Sequence, residues 1–145
     1  LAHDIKRLRH GQPIGLVGFS AGGSLAARLS GIPSLNVKAV LDDYGPPDLR
    51  DWFAYHGRDR FASYVASHVH FSPRAMDLLS GPSPSRAYIA AAFGRGDVNV
   101  TAEQSAESFA RDFALATVYT YAGGHGASIT ACRPALRDFL AHLDS

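Results

Sequence analysis

The stretch Leu16-Val17-Gly18-Phe19-Ser20-Ala21-Gly22-Gly23-Ser24-Leu25-Ala26-Ala27-Arg28-Leu29 decides how this chain folds. The apolar run Ile14 to Val17 reads as a strand, the glycines as a turn, and Ser24 to Ser30 as a helix. The spacing is G-x-S-x-G with Ser20 at the apex, where the first and last glycines let the chain reverse sharply and hold the hydroxyl strained and exposed. A serine held in this way is a candidate nucleophile. A serine hydroxyl is weak at neutral pH, so it needs a base to take its proton and a third group to orient that base.

Working outward, three more short apolar runs bounded by Gly, Pro, Asn or Asp read as strands covered on both faces: Val37 to Asp42, Tyr88 to Phe93 and Thr117 to Tyr121. Helical patterns lie between and after them. One is capped by Thr101, with Gln104 at the capping-box position, and runs to about Phe113. The last, Ala131 to Leu143, repeats Leu136, Phe139, Leu140 and Leu143 on one face. Alternating strands and helices predict a doubly wound, mostly parallel α/β sheet whose site lies at the carboxyl ends of the strands. Pro46 to Ser85 is too long for a plain connection and is broken by Gly57, Pro73, Gly81, Pro82 and Pro84. It reads as a small helical excursion at about 46–85 on a single domain spanning 1–145. Its aromatics, among them Trp52, Tyr55, Phe61 and Phe71, are either core or pocket lining.

Two of the strands end in chemistry. Tyr88 to Phe93 runs into Gly94-Arg95-Gly96-Asp97, and Thr117 to Tyr121 runs into Ala122-Gly123-Gly124-His125-Gly126. This places a carboxylate and an imidazole just past neighbouring strands. Asp42 and Asp43, at the end of the second strand, are the alternative acids.

The segments LVGFSAGGSLAARL, VKAVLDDYGPPDL, FGRGDVNVTAEQS and YAGGHG, taken in order, resemble the C-terminal half of an α/β-hydrolase, nearest the esterase and acetyl-esterase branch. The order Ser, Asp, His is that family's triad order. The resemblance implies Ser20 as nucleophile, Asp97 as acid, His125 as base and Ala21 as one oxyanion donor. It also implies an acyl-enzyme on Ser20, a small-molecule ester as substrate, and no cofactor. A serine peptidase, an acyltransferase or a non-catalytic subunit of the same fold is the alternative. Phe19, Trp52 and Tyr55 are the expected pocket residues. The family's first strands and its second oxyanion donor have no counterpart in this sequence. A start at Leu1 in an apparent helix suggests a fragment or processed product, so an N-terminal half or partner chain is expected to complete the sheet.

Composition excludes several other classes. The formal net charge of +1, with scattered charges, gives no basic face for nucleic acid. No apolar stretch approaches the roughly 18 residues of a membrane helix. One cysteine, Cys132, excludes an internal disulfide framework and leaves the compartment undetermined, the cytoplasm being the default. A dinucleotide fingerprint on Gly18 and Gly23 would put Ser20 where a glycine must approach the pyrophosphate. His68 and His70 align only on a strand and have no further ligands nearby, so no metal is expected. Gly94-Arg95-Gly96-Asp97 also spells an integrin-type tetrapeptide, which is read as chance because it coincides with the acid turn.

Overall fold

The computed structural model of the chain describes residues 12–57, 59–126 and 129–145. Four strands, β1 (Ile14–Phe19), β2 (Val37–Asp43), β3 (Tyr88–Gly94) and β4 (Ala116–Tyr121), pair in parallel and lie side by side in sequence order. Right-handed crossovers that step always in one direction put every connection on the same face of the sheet. That face carries α1 (Ala21–Leu29), the excursion and α5 (Ala102–Asp112). In its core, Ala26, Ala27, Trp52, Ala62 and Phe109 pack on Val40, Ile89, Ala91 and Phe93. The terminal helix α6 (Arg133–Asp144) covers the opposite face, where Cys132, Ala135 and Phe139 meet Ala39, Leu41, Ala90 and Ala92. Strand alternation divides β2 and β3 between these two cores, which is why both strands read as continuous apolar runs.

The excursion holds three short helices, α2 (Leu49–His56), α3 (Arg60–His68) and α4 (Pro73–Leu78). Each starts on a side chain that accepts from the backbone three residues on: Asp48 from Asp51, Asp59 from Ala62, Ser72 from Ala75. The root of the excursion is bound to its surroundings by charge. Arg28 of α1 donates to the Pro47 and Gly81 carbonyls and lies 3.6 Å from Asp112. Arg111 of α5 reaches Asp48 at 3.0 Å, Asp51 at 2.6 Å and Asp112 at 2.7 Å.

One local expectation changes. The Thr101 capping box does not form: Thr101 begins α5 without a side-chain cap bond, and its Oγ1 and Gln104 Oε1 are buried without partners. His68 ends α3 with its ring stacked on Tyr64, and His70 lies beyond the helix, so the two are not aligned on a strand. No helix among the described residues is long and apolar enough to cross a membrane. Along β1, Val17 and Phe19 are exposed, and among the described residues only β2 pairs with this strand.

Candidate active site

Register brings the three predicted residues to one edge. Phe19 pairs with Asp43, and Gly94 pairs with Tyr121, so Ser20, Asp97 and His125 all follow strand ends at the carboxyl side of the sheet. Ser20 caps α1 with φ 51° and ψ −127°, a conformation that is strained for any residue but glycine. Its N–H donates to Asp43 O at 2.9 Å, and its carbonyl accepts from Gly23 and Ser24, so ladder and helix together hold the strain. Close packing demands two glycines here. A Cβ on Gly18 would lie 2.1 Å from Gly22 O, and one on Gly23 would lie 2.0 Å from Asp42 Oδ1. Gly22, the last glycine of the motif, faces open space instead. The tight contact falls one residue later than the motif suggests, because Asp42 presses against the first turn of α1.

Ser20 Oγ lies 3.0 Å from His125 Nε2, and His125 Nδ1 lies 2.7 Å from Asp97 Oδ2. With the Nδ1 proton donated to Asp97, Nε2 is left to accept the hydroxyl proton. The Asp97 side chain is fully buried, and its two oxygens divide their work. Oδ2 takes the imidazole, while Oδ1 accepts from the N–H groups of Asn99 at 2.8 Å and Val100 at 3.0 Å. Asp97 is thus both a turn aspartate and the partner of His125. Asp42 accepts from Gly45, and Asp43 accepts from the Tyr121 hydroxyl at 3.2 Å; neither hydrogen-bonds the imidazole. Burial raises both carboxyls, Asp43 to about 6 against the pull of Tyr121 and His125.

Tyr44 was not foreseen. Its ring meets His125 edge-on, centroids 4.6 Å apart, from a backbone with φ 50°. Its position directly after Asp42-Asp43 at a strand's carboxyl end was the available signal. As the first residue of α1, Ala21 has a backbone N–H ahead of the helix's own ladder.

A cavity of about 400 Å³ opens beside Ser20 and Ala21 and runs beneath the excursion. Trp52 lines it, together with Leu25 and Leu49 and with Phe61 and Val65 of α3. The Trp52 indole N–H donates to Asn99 O at 2.6 Å. Phe19 and Tyr55 do not line the cavity. Phe19 leans toward Tyr44 and is 42% exposed, and Tyr55 is 59% exposed on the outer side of α2. No group of three or more His, Cys, Asp or Glu side chains among the described residues could hold a metal ion.

No family model matches the chain, and no curated protein matches its sequence. Solved structures do match its fold. The Pyrococcus furiosus esterase Pf2001 aligns at TM-score 0.59 and 18% identity over 97% of this chain and 57% of its own. Acetyl xylan esterase 1 from Thermoanaerobacterium gives 0.61 and 14% over 98% and 52%. Mouse alpha/beta hydrolase domain-containing protein 10 gives 0.59 and 15% over 91% and 60%. The chain therefore spans little more than half the length of these proteins.

Proposed function

The chain carries part of the α/β-hydrolase fold, and from this premise we propose that it is the triad-bearing portion of a serine hydrolase that cleaves carboxylic esters. The observation behind this reading is the unbroken hydrogen-bonded series from Ser20 through His125 to Asp97, with Ser20 on a strained elbow. Ser20 Oγ attacks the ester carbonyl while His125 Nε2 takes its proton, and Asp97 orients and stabilises the imidazolium. The Ala21 N–H faces the developing oxyanion. His125 then protonates the departing alcohol, and a water deprotonated by the same nitrogen attacks the acyl-enzyme and regenerates Ser20.

In this reading a further polypeptide segment pairs with β1 along the edge that no described strand occupies and covers Val17 and Phe19. An unpaired, apolar edge strand invites such pairing. The segment would supply the second oxyanion donor, whose absence costs on the order of 100-fold to 1,000-fold in turnover. If the isolated chain sediments as a compact, soluble monomer, that part of the reading fails.

The test of the chemistry is fluorophosphonate labelling and hydrolysis of p-nitrophenyl esters by the full-length protein. Labelling at Ser20, with both signals lost in Ser20→Ala, is the expected result. Turnover that survives the substitution would remove Ser20 as nucleophile, and an unlabelled protein would point to a non-catalytic role.

A further inference from the structure

We infer that the cavity beside Ser20 receives the acyl part of the substrate and selects uncharged, apolar acyl groups larger than acetyl. This rests on Ser20 being the nucleophile proposed above and adds the substrate class.

The side of the site decides which half of the ester enters. To return a proton to the leaving oxygen, His125 must stand beside it, so the alcohol departs on the His125 side of Ser20. Ser20 and Ala21 line the cavity and His125 does not. The acyl chain, still bonded to the carbonyl carbon, is left facing the cavity.

The lining decides the chemistry. Beyond Ser20, the side-chain polar groups at the cavity wall among the described residues are the Ser24 hydroxyl and the Trp52 indole N–H. Both are already engaged: Ser24 donates to Pro46 O at 2.7 Å, and Trp52 donates to Asn99 O at 2.6 Å. A carboxylate, which can only accept, would be desolvated there with neither of these donors free to meet it. An alkyl or aryl group would instead bury its surface against Leu25, Phe61 and Val65. A volume of about 400 Å³ is far more than an acetyl group fills, and it lies within the usual range for small-molecule sites.

The experiment holds the alcohol constant. The full-length protein is given p-nitrophenyl acetate, butyrate, octanoate and palmitate, and the mono-p-nitrophenyl ester of succinic acid as the charged probe. The kcat/KM should rise about four-fold for each methylene that enters the cavity. The succinate ester should be slower than butyrate. Val65→Phe should lower the octanoate-to-acetate ratio by about ten-fold, and Phe61→Ala should move the optimum toward palmitate. Turnover that is flat across chain length, or ratios that neither variant moves, would overturn the inference and leave the ester-hydrolase reading standing. Should no ester react and Ser20 stay unlabelled, calorimetry of binding of methyl octanoate, an uncharged probe, decides separately. Binding weakened by Val65→Phe keeps the apolar site while the catalytic reading falls, and absence of binding removes the site as well.

Discussion

The turns that carry Asp97 and His125 and the root of the excursion at 46–85 differ in how far charged side chains fasten them. The turns are joined by main chain: Arg95 N–H to Tyr121 O at 2.9 Å, and Gly96 N–H to Gly123 O at 2.8 Å. The excursion's root has two main-chain bonds, Leu49 N–H to Leu79 O at 3.0 Å and Ser83 N–H to Asp112 O at 2.7 Å, but it also relies on side chains, with Arg28 and Arg111 gathering Asp48, Asp51, Asp112 and two carbonyls. Main-chain bonds do not depend on residue identity or charge state, whereas a side-chain fastening depends on both. The edge carrying Asp97 and His125 therefore depends less on charged side chains than the layer over the cavity, which is more open to change by substitution.

This contrast is broken most severely if the turns prove tolerant. Asp97→Asn keeps the shape but leaves the imidazole in the wrong tautomer, and kcat for p-nitrophenyl butyrate should fall about 10,000-fold. A loss below about ten-fold would mean that Asp43 can take over. Gly23→Ala forces a methyl onto Asp42 Oδ1, and the urea midpoint should report a loss of about 1–3 kcal/mol. Arg28→Met strips donors from the Pro47 and Gly81 carbonyls at the excursion's root and should cost about 1–3 kcal/mol. Its kinetic effect should fall on KM more than on kcat, and a reverse split would dissolve the distinction between the two regions.

The smallest effect is in acid, and it has opposite signs in the two regions. Burial raises Asp43 from 3.8 to about 6, so the folded state holds the extra proton and stability falls as pH rises between those values. Asp43→Asn should flatten this slope in urea midpoints taken across the interval. At the excursion's root, burial works against Asp48, but the N–H groups of Gly81 and Asp51 and the charge of Arg111 outweigh it and lower its pKa. That contribution is present above the ordinary carboxylate range and is lost only as pH falls through the lowered value.

The strands and the order Ser20, Asp97, His125 were legible because each rests on local grammar: an apolar run, then a glycine turn, then the reactive side chain. The excursion's three helices left a signal in Asp48, Asp59 and Ser72, each placed three residues before the amide it caps. Tyr44 against His125 and Arg111 against Asp48 and Asp51 join segments remote in sequence, and no periodicity encodes such meetings. Tyr55 and Phe61 show the same limit. Both are aromatics of the excursion, yet only Phe61 turns toward the cavity, because the packing of α2 and α3 sets which face looks inward.

Trp52 and Val100 both form walls of the cavity, and both are linked by hydrogen bonds to Asp97, Trp52 through Asn99. The Trp52 indole holds the Asn99 carbonyl, the Asn99 N–H holds Asp97, and the Val100 N–H holds the same carboxylate oxygen. One peptide unit therefore separates the cavity wall from the carboxylate that holds His125. Under the proposed ester hydrolysis, a chain that displaces either wall is expected to shift the carboxylate with it, so its fit would be read in kcat as well as in KM.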